Sequence, residues 1–156
     1  MALTYSIHHE DRLVIAVVDG AFVRRDVERY LADIFAARCG SYGKLFDIAR
    51  ATNPLDAEDM RALGARIRIL GAMGPMGPLA IVTSSALRPV ATTFASFATA
   101  PRLIELFDAE PQARSWLARQ GLPRCPLPVR QQRSKMDQME KPLWLIIPPL
   151  RKKIGI

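Results

Sequence analysis

From residue 4 to about residue 117 the chain switches repeatedly between two hydrophobic periods, and glycine or proline stands at most of the switches. Short β-rich runs give way to stretches with apolar residues three and four apart, and the pattern then returns to a short run. Thr4–His8 and Leu13–Val18 are β-rich and flank the polar turn His9-Glu10-Asp11-Arg12, which predicts a hairpin; Asp19-Gly20 ends the second run. Val23, Val27, Tyr30, Leu31, Ile34 and Phe35 follow helical spacing with charges between them, and Gly40 and Gly43 close that segment. Lys44–Ile48 reads as a short buried strand.

The second helix carries the clearest start signal. Asp56 has a carboxylate to accept from the free N–H groups of a first turn, Glu58 and Asp59 suit the positive end of the dipole, and Leu55 and Met60 stand at staple positions. Met60, Leu63, Ile67 and Leu70 form its apolar face before the break at 71–78. Leu79–Val82 is the next strand, followed by a helix with Ser84 or Ser85 as its expected cap and Pro89 in its first turn. Arg102–Phe107 is the last strand, and Asp108 is expected to cap a helix bearing Ala113, Trp116 and Leu117, stopped by Gly121. Strands that alternate with helices pair in parallel, because each helix crosses back over a face. The expected fold is α/β: a single layer of about five mostly parallel strands with helices on both faces, the first strand antiparallel. The expected core includes Val14, Ile15, Phe46, Ile48, Leu79, Ile81, Val82, Leu106 and Trp116.

Charge divides the chain in two. The net charge is +7, with 22 basic and 15 acidic residues. Residues 1–120 hold 14 Lys+Arg and 13 Asp+Glu, leaving 8 and 2 for residues 121–156. The expected organisation is therefore an α/β domain over 1–120 and a basic, Pro-rich tail over 121–156. No apolar run approaches the length of a membrane-spanning helix. Met1–Glu10 lacks the basic start and apolar run of a signal peptide, so the expected compartment is the cytoplasm. Cys39 and Cys125 fit neither a disulfide framework nor a zinc site.

The order of elements, together with a set of local sequences, resembles the SpoIIAA-like family, also described as STAS/SEC14-like domains. The matching stretches are Tyr5-Ser6-Ile7, Glu10–Val14, Lys44–Asp47, Asp59-Met60 with Leu63-Gly64, Gly74–Pro78 running into Ala80–Val82, Phe107-Asp108, and Ala113 with Trp116-Leu117. The resemblance covers residues 4 to about 118. It implies the same α/β fold and a regulatory or protein-interaction module. The STAS-type anti-sigma-factor antagonists of this group carry a phosphorylated serine, in an Asp-Ser or Ser-Ser pair, before the helix that follows the third strand. Here that stretch, Asn53 to Asp59, has no serine and three acidic groups, with Thr52 the nearest hydroxyl. A phosphate at Thr52 would be repelled by that acidic turn, so neither Thr52 nor Ser84 is expected to act as a phospho-switch.

Several chemistries are weakly supported. The glycine-rich stretch 71–78 joins a helix to a strand and lacks the Lys-Ser/Thr of a phosphate loop, which needs strand followed by helix. His8 and His9 are neighbours that point to opposite faces of a strand, so they make neither a metal pair nor a triad base for the serines of 84–96. The chain is expected not to be an enzyme and to need no cofactor or metal. In open α/β sheets, ligands favour the crevice at the carboxyl ends of the strands. That rule nominates Asp47, Arg50, Thr52, Asn53, Ser84 and Arg88 as a ligand site, with the two arginines available to an anion unless a carboxylate engages Arg50. The expected function is a non-enzymatic regulatory or protein-interaction module, with a protein partner or a homodimer. The alternative is a small-molecule or lipid-binding carrier of the SEC14-like type, taking a small apolar ligand.

The tail shifts composition abruptly. Its six prolines (123, 126, 128, 142, 148 and 149) break regular structure, and its basic residues lack the interleaved aromatics of a nucleic-acid platform. Leu143, Trp144, Leu145, Ile146 and Ile147 lie near Arg151, Lys152 and Lys153. Three readings stay open: peripheral contact with an anionic membrane, packing on the domain or a partner, or no role. The alternating pattern is complete at Leu117, so a chain ending at Gly121 is expected to fold.

Overall fold

Every element of the α/β domain follows from a face that must be buried. The computed structural model describes residues 2–53, 55–98 and 102–121, apart from the side chain of Asn53. The elements are β1 (Leu3–His8), β2 (Leu13–Ala21), α1 (Arg24–Ala36), β3 (Gly43–Asn53), α2 (Ala57–Met73), β4 (Leu79–Val82), α3 (Arg88–Phe97), β5 (Ile104–Phe107) and α4 (Glu110–Arg119). The sheet order is β1-β2-β3-β4-β5, with β1 antiparallel to β2 and every other pair parallel. The expected basic tail lies outside the described residues.

The helices divide three to one between the faces. Parallel strands laid down in sequence order take right-handed crossovers, which carry successive helices over the same side. Val27, Tyr30, Leu31 and Ile34 of α1, Leu63, Ile67 and Leu70 of α2, and Ala91 of α3 therefore share one core with Val14, Ala16, Val18, Ile48, Leu79 and Ile81. α4 follows the last strand and is free to cover the opposite face, where Ala113 and Leu117 meet Leu13, Leu45, Ala80 and Val82. Adjacent strand residues alternate between the two cores, as the pleat requires. β4 is buried at all four positions, the mark of a strand covered on both sides. Of the nine expected core residues, Val14, Ile48, Leu79, Ile81 and Val82 are buried, while Ile15, Phe46, Leu106 and Trp116 are partly buried against these cores.

Asp56 caps α2 as expected, its carboxylate accepting from the Asp59 N–H at 2.8 Å. At α1 the Asp26 carboxylate reaches back to the Val23 N–H at 3.1 Å. Three other boundaries differ from expectation. Ser84 and Ser85 do not cap α3: they sit in a turn closed by the Leu87 N–H on the Ser84 carbonyl, and α3 starts at Arg88. Asp108 does not cap α4, because Ala109 holds that position and Asp108 turns its carboxylate to Arg88. The last strand starts at Ile104, so Arg102 lies in the bend before it.

The largest departure is the length of β2 and β3. Both continue past the expected ends, pairing Asp19 with Arg50, Gly20 with Ala51 and Ala21 with Asn53 through register shifts. Gly20 adopts φ +88°, a conformation that glycine accepts without a Cβ penalty. Beyond the end of β4 the two strands satisfy each other's backbone groups as a two-stranded extension.

Candidate functional site

The residues nominated at the carboxyl ends form an exposed crest. Arg50 and Thr52 lie within β3, on the two-stranded extension, and not in a loop after it. Arg50 pairs with Asp19 on the adjacent strand at 3.3 Å. Asp47 is partly buried and its Oδ1 accepts the Ala49 N–H at 2.9 Å, so it serves its own strand. Arg88, on the first turn of α3, pairs with Asp108. Ser84 is partly buried in the turn before α3. The crest thus holds two separate arginine–carboxylate pairs, both solvated, where an ion pair contributes about 0–1 kcal/mol.

A second arrangement lies inside, between the sheet and its three-helix face. One cavity, of about 40 Å³, is lined by Phe22, Val27, Phe46, Leu55, Met60, Leu63, Val90, Ala91 and Phe94. It contains both members of the staple, Leu55 and Met60, and lies toward the carboxyl ends of the strands. An adjoining cavity of about 20 Å³ shares Val27, Phe46 and Phe94 with the first and adds Tyr30, Leu31, Lys44, Ile67, Leu79 and Arg102. Lys44 is the second residue of β3 and Leu79 the first of β4, so this end of the cleft lies toward the amino ends. A water needs roughly 10–15 Å³ on this measure, so each space admits only a few heavy atoms.

The chemistry of the inner end is unusual for a core. Lys44 stands at the start of β3, in the alternation that carries Phe46 and Ile48 to the three-helix side, and is 1% exposed. Its Nζ donates to the Gly40 carbonyl at 2.6 Å and the Tyr42 carbonyl at 2.9 Å. Burial, reinforced by Arg102 and opposed by Cys39, lowers its pKa to about 7. Burial likewise lowers Arg102 to about 10, and among the described residues its Nε has no hydrogen-bond partner. The Tyr30 hydroxyl is also buried without a partner among the described residues, and burial raises its pKa above the usual tyrosine range. Among the described residues no carboxylate forms an ion pair with Lys44 or Arg102.

The glycine-rich connection explains how the lysine is held. Gly77 lies so close to the 40–42 segment that a Cβ would stand 2.1 Å from the Tyr42 carbonyl oxygen. Its N–H donates to the Gly40 carbonyl at 3.0 Å, the same oxygen that accepts from Lys44. The connection is therefore a structural clamp on the carbonyls around the ammonium.

The sequence reading missed this end of the cleft because Lys44, Tyr30 and Arg102 are 14 and 58 positions apart along the chain. The available signal was a lysine opening a run otherwise suited to a buried strand. The histidines do not join either arrangement. His8 Nε2 is 3.0 Å from the Ser6 hydroxyl, and His9 Nδ1 is 3.1 Å from the Tyr42 hydroxyl. Among the described residues no group of three His, Cys, Asp or Glu could hold a metal ion, and no helix is long and apolar enough to cross a membrane.

No protein-family model and no curated protein sequence matches the chain. Among solved structures, the chain is similar to an uncharacterised protein of the DUF3478 family from Shewanella loihica PV-4, described as having a SpoIIAA-like fold. The two share 19% identity with a TM-score of 0.52, over 74% of this chain and 94% of the other. At that identity the match speaks for architecture alone, and it agrees with the strand order, the antiparallel first strand and the element sequence described above. The chain has a SpoIIAA-like fold.

Proposed function

We propose that this domain is a non-enzymatic small-molecule-binding module and that its ligand enters the cleft beneath α1, α2 and α3. One observation carries the reading: a buried tyrosine hydroxyl and an enclosed arginine Nε, both without partners among the described residues, lie beside a buried lysine at the end of an apolar cleft. Buried polar groups in native proteins are nearly always satisfied, by protein, water or ligand. Arg12 has two more such nitrogens at the turn after β1, but the Tyr30 hydroxyl and the Arg102 Nε belong to residues that line one space, and both can donate. Among the described residues that line the two cavities there is no serine, threonine, cysteine or histidine to pair as nucleophile and base, which favours binding over turnover. The test is native mass spectrometry of the full chain purified from its own source cells. A bound species removed by denaturation, at one per chain, supports the reading; a spectrum holding only the bare chain, together with ordered waters on Tyr30 and Arg102 in a crystal structure, sinks it.

A regulatory interaction module is the second reading, favoured by the exposed crest of β2 and β3. Its Arg50–Asp19 pair is exposed on the extension of the two strands beyond β4. In this reading the crest docks a protein partner, without the serine switch of the anti-sigma-factor antagonists. Arg50→Glu would then abolish capture of a defined partner while leaving the thermal stability of the chain unchanged.

A further inference from the structure

We propose that the Tyr30–Lys44–Arg102 end of the cleft binds the carboxylate of a short-chain aliphatic monocarboxylic acid, whose tail fills the adjoining apolar cavity. The proposal rests on the small-molecule reading above and names its ligand class. Three features of the cleft select it. The first is charge. Two cationic side chains line one cavity, and among the described residues neither has an anionic partner. Lys44 is buried and the Nε of the partly buried Arg102 is enclosed; charges so placed are normally paired, so the missing component is an anion. The second is donor geometry. An ammonium has three N–H donors, and Lys44 spends two on the Gly40 and Tyr42 carbonyls. The third donor, the Tyr30 hydroxyl and the Arg102 Nε are the open ones, and a carboxylate offers about four acceptor sites on two oxygens. The third is size and polarity. The space beside these donors is about 20 Å³ and the apolar space that adjoins it about 40 Å³. That combination suits a compact anion with a few methylenes. It is too small for a long acyl chain, and its apolar half gives nothing to a phosphate or sulfate.

Protonation of Lys44 links binding to pH. The groups that face it are Tyr30 from α1, Arg102 from the bend before β5 and Cys39 from the segment after α1; α2 and α3 contribute Ile67 and Phe94, which carry no charge. With its pKa near 7, Lys44 is largely neutral in alkaline solution and offers only the two donors its carbonyl partners already use. Acidification adds the third donor and the charge together, so carboxylate binding should strengthen as pH falls from about 9 to about 6.

The experiment titrates the full chain with sodium butyrate and, in parallel, with 1-butanol, at constant ionic strength set by sodium chloride. Amide and methyl NMR signals of Val27, Tyr30, Lys44 and Phe94 are followed. The expected result is a saturable shift of those signals by butyrate, at least tenfold weaker for butanol, and a tenfold or greater loss of butyrate affinity between about pH 6 and pH 9. Lys44→Met and Arg102→Gln should each reduce butyrate binding at least tenfold and leave butanol unaffected. If either variant fails to fold, the two-ligand comparison on the native chain decides alone. Butanol saturating the cleft as tightly as butyrate overturns the carboxylate and leaves the small-molecule reading standing. Shifts from neither probe, or butyrate shifts confined to the surface, overturn the proposal, and the native mass spectrum then decides the broader reading by itself.

Discussion

The crest at the carboxyl ends and the inner end of the cleft both present basic side chains, and their electrostatics are opposite. On the crest, Arg50 and Arg88 each meet a carboxylate in solvent, where screening leaves little energy in the pair. In the cleft, Lys44 is buried and Arg102 partly buried with its Nε enclosed, beside a tyrosine hydroxyl; among the described residues that hydroxyl has no partner and the ammonium is held by backbone carbonyls. Water hides the cost of a charge on the crest and exposes it in the core. The visible cations are therefore already satisfied, and the hidden ones carry the unmet demand.

The sharpest way to break this contrast is Lys44→Met. Lys44 titrates near 7 in the folded chain against 10.5 when unfolded. Between those values the unfolded state binds the extra proton, so stability should rise with pH from about 7 toward 10, by a few kcal/mol at about 1.4 per pH unit. Below about 7 both states are protonated and the penalty is fully present. Above about 10 the raised Tyr30 works in the opposite direction. Urea unfolding across this range should show the slope in the native chain and a nearly flat profile in the variant. An equal slope in both would mean that the lysine is solvated and the contrast false.

Gly64→Ala tests the roof of the cleft. A Cβ at Gly64 would lie 2.7 Å from the Phe97 carbonyl oxygen, so α2 and α3 would have to separate. The expected loss is about 1–3 kcal/mol in denaturant unfolding, with the ion pairs of the crest untouched. Tyr30→Phe removes a buried hydroxyl that has no partner among the described residues. Without ligand it should be neutral or stabilising, by up to about 1 kcal/mol in thermal unfolding, because an unsatisfied polar group is lost and the ring stays. A clear destabilisation would show that the hydroxyl has a protein or water partner. The smallest effect belongs to the crest: Arg50→Ala and Arg88→Ala should each change stability by less than about 1 kcal/mol, declining further in high salt.

The periodic pattern of apolar residues determined the order of elements, the antiparallel first strand, the placement of helices on both faces, and the start of α2 at Asp56. Those features are local or follow from the handedness of crossovers, so spacing along the chain is enough to specify them. Tertiary structure decided the rest. β2 and β3 outgrew their expected ends because each supplies backbone partners to the other, which neither segment reveals alone. Asp108 gave up a cap for Arg88, twenty positions away, and Ser84 became part of a turn. Above all, the meeting of Tyr30, Lys44 and Arg102 depends on α1, β3 and the approach to β5 folding around one space. Burial, which turns an ordinary lysine into an uncompensated one, is a property of everything packed around it and is written in no single stretch of sequence.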